Sequence, residues 1–322
     1  MLRLLYVLVV SAALFAASSG ATALQDPPKE PPKKDPKQAP AQKAAPATDE
    51  EAEAALATFK KSMTAELASA QMAAIKEVAK VRHEKVIRAI APYLRSNHPD
   101  VATSAAIQLA ELDHPVSSET LVAGIAPNDK RPVVLGAIFT SLGKLGYEPA
   151  TGPLLSLMDK ANDDGWKKVL EEAVNAIGRI GSSKAVDPLI DWRKRQPGGG
   201  WGGRWGGGGG GGQNNSGKLW GAVDRALKSI TGGDEETTAD WEKWWKANRA
   251  DMLGNATTTY RCKISWERYD APFRKSATCP HAPDKGHTSC QQAVRTRLVP
   301  EADAPPDNPG PGPGGGGGGG NP

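Results

Sequence analysis

Leu142-Gly143-Lys144-Leu145-Gly146 and Ile177-Gly178-Arg179-Ile180-Gly181 are the same five-residue phrase written twice, 35 residues apart. The same offset carries Ala150 to Ala185, Pro153 to Pro188 and Leu154-Leu155 to Leu189-Ile190. So many matches at one offset mark a repeated structural unit rather than biased composition. A shift of 33 residues toward the N-terminus lays Leu109-Ala110-Glu111-Leu112 on the first phrase and Leu121-Val122 on Leu154-Leu155. Ile87 stands 34 before Leu121, and Leu227-Lys228-Ser229-Ile230 stands 50 beyond Ile177. The excess in that last step, about 15 residues, equals a glycine-rich tract at 197–212.

Each unit reads as two helices. Turn residues precede the second helix of successive units: Asn97-His98-Pro99-Asp100, Asp129-Lys130-Arg131-Pro132 and Asp163-Asp164-Gly165. A pair this small cannot bury its own apolar face, so neighbouring units must stack to complete a core. The L-G-x-L-G phrase followed by A-x-x-P-L-L resembles the HEAT-repeat family, including its bacterial lyase-like branch, over roughly half the chain. The resemblance implies an all-α, right-handed α-solenoid of about four helix pairs over 48–254, interrupted by a glycine-rich loop at 197–216 that holds Trp201 and Trp205.

A stack needs caps at its ends. Thr48-Asp49-Glu50-Glu51 has capping-box spacing. Ala52, Leu56, Phe59, Met63, Leu67, Ala70, Ala74, Val78 and Val81 then recur at steps of three and four, which predicts one long N-terminal capping helix. At the other end Trp241, Trp244 and Trp245 stand at i, i+3 and i+4 and share one helix face. They are expected to plug the last repeat, with a carbohydrate platform as the competing reading. The Asp-Trp-x-x-Trp-Trp pattern is similar to the final helices of other secreted bacterial HEAT proteins.

Outside the stack the chain reads as tethers. Arg3, the apolar run Leu4–Ala17 and the A-x-A site Ala21-Thr22-Ala23 have the order of a secretory signal peptide, 1–23, cleaved before Leu24. An uncleaved anchor is the competing reading, for which the apolar run is short. Residues 24–47 hold seven prolines and almost no large apolar side chain, so they are expected to form a solvated linker. The Pro/Gly tail 300–322 is expected to be disordered. No other apolar stretch has membrane-spanning length, so the mature chain is expected in the periplasm or outside the cell.

Chemistry is sparse. A net charge of +4 without a basic run does not mark a nucleic-acid protein. H-E-x-x-H, G-x-S-x-G, C-x-x-C-H and phosphate-loop motifs are all missing. His83, His98 and His114 have no cysteine or carboxylate at useful spacing and read as surface residues. The segment 255–299 holds Cys262, Cys279 and Cys290 with His281 and His287. One disulfide, unpaired thiols and a metal site remain open there; an oxidising compartment favours the disulfide. TTTYRCKISWERY, 257–269, carries β-type residues and allows a strand pair.

In HEAT-like stacks the second helices line the concave face. The resemblance therefore implies a binding ladder of Glu111, Lys144, Arg179 and Ser229, with Thr140, Asn175 and Arg225 one turn earlier. Its slightly basic character suggests another protein with an acidic segment as partner. No catalytic residue, cofactor or metal site is expected. The expected role is an exported, non-catalytic interaction scaffold. A HEAT-like lyase or accessory subunit and a cell-envelope spacer are the alternatives.

Overall fold

A computed structural model describes residues 46–160, 166–195, 216–262, 266–272 and 291–298. The signal segment, most of the linker, the glycine tract with Trp201 and Trp205, Cys279, Cys290 and the tail 300–322 lie outside the described residues. The described chain is mostly helical, with one small sheet. In chain order the helices are α1 (Asp49–Ser62), α2 (Ala68–Val78), α3 (Glu84–Ile90), α4 (Pro99–Leu112), α5 (Pro115–Ala123) and α6 (Pro132–Leu145). They continue with α7 (Thr151–Leu157), α8 (Lys167–Ile180), α9 (Val186–Arg195), α10 (Ser216–Thr231) and α11 (Thr238–Asn255).

Two rows of helices run in chain order. One row is α2, α4, α6, α8 and α10, each packed on the next. The flanking row is α1, α3 and α5, continued through 3-10 turns at Glu148–Ala150 and Ser183–Ala185 by α7 and α9, and then α11. The repeated phrase ends four of the first-row helices. Leu109, Leu142, Ile177 and Leu227 fill its first apolar position, and Leu112, Leu145, Ile180 and Ile230 fill the second; all are buried. Each such side chain contributes roughly 1.5–3 kcal/mol by leaving water.

The glycines of the phrase have two different jobs. A Cβ on Gly143 would lie 3.1 Å from Ala176 Cα, and one on Gly178 would lie 3.0 Å from Ala226 Cα. The first glycine therefore lets adjacent first-row helices touch backbone to backbone. The second glycine ends the helix in left-handed geometry, with φ of 59° at Gly146 and 69° at Gly181. At the equivalent place α4 has Asp113, at φ 53°.

The N-terminal helix departs from expectation. The capping box forms: Glu51 N donates to Thr48 Oγ1 at 3.3 Å, and Thr48 N donates to Glu51 Oε2 at 2.8 Å. The helix then stops at Ser62, and Thr64 Oγ1 donates back to Lys61 O at 2.7 Å. Leu67, expected on the buried stripe, is exposed. The single capping helix is thus two helices, because α2 must lie along α4. There Ile75 and Val78 take the buried places that Leu109 and Leu112 take one unit later. That copy of the phrase, Ile75-Lys76-Glu77-Val78, has neither glycine.

The chain is also not wholly α. Strands β1 (Thr257–Cys262), β2 (Arg268–Pro272) and β3 (Gln291–Arg297) form an antiparallel sheet in the order β2-β1-β3. The threonine run 257–259 favours extended backbone, and Tyr260 faces Tyr269 across the β1–β2 pair.

At the far end α11 packs on α9. Thr237 caps it by accepting from Asp240 N at 3.1 Å. Trp241 and Trp245 are buried, and Trp244 is half-buried edge-on to Trp241 at 5.8 Å. Trp245 Nε1 donates to Asp187 Oδ1 on α9 at 2.8 Å. Gly233 is confined beneath these rings, since a Cβ there would lie 3.1 Å from Trp244 and 3.2 Å from Trp241. Trp241→Ala should cost about 3–5 kcal/mol in urea denaturation, and Trp244→Ala clearly less. Equal small losses at both positions would show that the indoles do not seal the end.

A candidate interaction surface and the junction behind it

The ladder expected from sequence lies on the first-row helices α4, α6, α8 and α10. Glu111, Thr140, Lys144 and Arg225 are exposed, whereas Asn175, Arg179 and Ser229 are half-buried. Neighbouring rungs pair with one another. Lys144 on α6 forms an ion pair with Glu111 on α4, and Arg225 on α10 pairs with Glu171 on α8 at 3.1 Å. Ser229 Oγ donates to Gly178 O at 3.2 Å and so belongs to the α8–α10 contact. Arg179 lies across α6, its Cδ 3.2 Å from where a Gly143 Cβ would stand. Among the described residues Arg179 makes no ion pair. Most of the ladder's positive charge is therefore neutralised internally, and Arg179 carries what remains.

Two apolar residues of this surface were not singled out from sequence. Ile107 on α4 is 45% exposed and Val133 on α6 is 67% exposed. Ile107 stands at the repeat position held by Thr140, Asn175 and Arg225 in later units. Val133 stands seven residues before Thr140, on the same helix face. Gly136 and Ala137 lie between them, and the space above Gly136 is open. The signal in the sequence was an isoleucine where the other copies are polar. The surface is thus shallow, apolar toward α4 and α6, and polar toward α8.

A hollow of about 240 Å³ between α7 and α9, lined by Leu155, Met158, Asp159, Pro188, Trp192 and Arg195, lies in the flanking row. That is below the usual size of a small-molecule site.

The sheet is joined to the C-terminal ends of α4, α6 and α8. Arg261 Nη2 on β1 donates to Asp113 Oδ1 at 2.5 Å, and Arg268 on β2 reaches the same oxygen. Arg268 Nη2 also donates to Leu145 O, in the last turn of α6, at 2.8 Å. A Cβ on Gly146 would lie 2.6 Å from Nη1 of Arg295, and one on Gly181 would lie 3.1 Å from Nε of Arg297. Arginines thus meet the C-terminal ends of α4, α6 and α8, where the helix dipole presents partial negative charge. Asp113 accepts left-handed strain of about 1–2 kcal/mol, offset by two charge-assisted hydrogen bonds. Cys262, the one disulfide candidate among the described residues, is buried beside Tyr269.

His83 and His114 are not the surface residues that sequence suggested; His98 is exposed. His83 Nδ1 accepts from Lys85 N, and His114 Nδ1 accepts from Val116 N, each at 3.1 Å, so both cap the next helix. His114 packs on Trp266 with ring centroids 4.5 Å apart, and Arg82 lies over the same indole at 5.2 Å. Burial pushes the His114 imidazole down to about 4, and the neighbouring Arg261 and Arg82 add to the shift against the opposing pull of Glu84 and Asp113. The folded state therefore prefers neutral His114, while the unfolded chain takes up a proton near pH 6.5. Its stabilising contribution is complete above pH 6.5 and falls away between 6.5 and 4. His114→Asn keeps a capping side chain and should flatten the fall in stability over that window. An unchanged slope in paired urea titrations would remove His114 as the cause.

The unit made by α8, the turn Ser183–Ala185 and α9 holds the clearest copy of the repeated phrase. Residues 169–191, within that unit, match the family model described as PBS lyase HEAT-like repeat. A search of curated proteins gave no match. The family match, falling on a helix pair whose neighbours repeat its packing, supports a HEAT-repeat family for this chain.

Proposed function

We propose that the chain is an exported, non-catalytic scaffold that holds another protein on the exposed stripe of α4, α6 and α8. In this reading the two rows form a right-handed solenoid closed by α11, and the first row lines its concave side. The observation that carries the proposal is the exposure of Ile107 and Val133 on the adjacent helices α4 and α6, on a row of helices that also bears the half-buried cation Arg179. Apolar side chains exposed together on a packed fold mark contact surfaces. The partner would offer an apolar side chain to α4 and α6 and a carboxylate to Arg179. Export rests on the signal-like segment 1–23. None of the described helices is long and apolar enough to cross a membrane.

A lyase reading has the name of the matched repeat in its favour. Two hollows among the described residues are lined from the flanking row, away from the ladder, and the exposed stripe of α4, α6 and α8 supports binding instead.

A photo-reactive residue placed at Thr140 should form a discrete protein adduct in cell-envelope preparations. One placed at exposed Glu119 on α5 should not. Val133→Asp with Arg179→Glu should weaken that association at least ten-fold, about 1.4 kcal/mol, with helical content unchanged. Equal labelling from both faces, or an adduct indifferent to the double substitution, would exclude this surface.

A further inference from the structure

We propose that the three-stranded sheet is an internal strap that fixes the angles between successive helix pairs, so that α4, α6 and α8 present one preset surface. In a repeat stack each unit touches only its neighbours, so the angle from unit to unit is its softest coordinate. Here α4 packs on α6 and α6 on α8. The sheet reaches the ends of all three. Arg261 and Arg268 hold Asp113 after α4, and Arg268 also takes Leu145 O of α6. Arg295 covers Gly146 after α6. Arg297 covers Gly181 after α8 and forms a backbone bridge with Ser182. Thr296 N adds a bond to Glu148 Oε2 at 2.8 Å, just beyond α6.

β1, β2 and β3 are hydrogen-bonded to one another, so these attachments belong to one stiff body. A change of angle between α4 and α8 must break a charge-assisted contact or shear the sheet. The repeat itself records the attachment. Where later units have Gly146 and Gly181, the α4 unit has an aspartate in the left-handed conformation. The strap's Arg261 and Arg268 both bind that carboxylate. Buried Arg261 has much to lose if Asp113 is removed, since a guanidinium inside the protein is costly without its counter-charge. The strapped helices are those bearing Ile107, Val133, Lys144 and Arg179. The strap is nevertheless a property of the fold, whatever binds there.

Two full-length variants test it. Asp113→Gly restores the repeat's own residue, relieves backbone strain and removes the anchor. Arg295→Gln with Arg297→Gln loosens the α6 and α8 ends and leaves Asp113 in place. Spin labels carried by non-natural amino acids at exposed Asp100 on α4 and Glu172 on α8 report the spacing by pulsed dipolar spectroscopy. Hydrogen exchange on 257–262 and 291–297 reports release of the sheet. The native chain should give one narrow distance distribution. Either variant should broaden it about two-fold as the strands lose protection, with helical circular dichroism retained. A released sheet with an unchanged distribution would overturn the proposal, as would a native distribution already broad. Should Asp113→Gly fail to fold, the arginine pair decides.

Discussion

Neighbouring first-row helices approach until the backbone of one meets the glycine of the next, at Gly143 against Ala176 and at Gly178 against Ala226. The close packing of α6 on α8 and of α8 on α10 depends on this spacing. With the helices so close, Leu142 and Ile177 can be fully buried by neighbours instead of needing larger side chains. The same closeness brings Arg179 across Gly143 and lets Ser229 reach the Gly178 carbonyl. Surface pairs such as Lys144–Glu111 and Arg225–Glu171 then form between adjacent helices, because rungs of the ladder come within reach.

Helices that end together also leave their carbonyl ends together. In a plain stack, solvent would satisfy those ends. Here arginines from a sheet remote in sequence occupy them. The arrangement has an electrostatic logic, since cations favour helix C-termini. It also has a cost, because buried guanidinium groups must be matched closely. Asp113 meets that cost for Arg261 and Arg268 and accepts backbone strain in return. The same neighbourhood holds His114 neutral, since a proton there would abolish its cap on Val116 N and face two arginines.

The proposed contact surface lies where the same helices expose residues that change from unit to unit. Core positions of the repeat keep one type of side chain, whereas the exposed position runs Ile107, Thr140, Asn175, Arg225. Ile107, Thr140 and Arg225 of that row are exposed and Asn175 is half-buried, so the row lies outside the fully buried core. Beside this row stand Val133, exposed on α6, and Arg179, half-buried on α8.

The repeated phrase, read by itself, determined the helix pairs and their core residues, and Thr48-Asp49-Glu50-Glu51 determined the capping box, because these follow from local periodicity and short-range hydrogen bonds. It also located the ladder, since a fixed offset carries a face from one unit to the next. A strand pair within 257–269 was allowed by its β-type residues, and the structure runs the second strand on to Pro272. Tertiary structure alone decided the break at Ser62, where packing of α2 on α4 overrode a stripe compatible with one long helix. It alone decided which ladder charges are neutralised, because Lys144 and Glu111 are 33 residues apart and meet only across packed helices. It alone gave the arginines their role. Arg261 lies 148 residues from Asp113, and no periodicity or spacing encodes a contact made only when a sheet closes over the ends of three finished helices.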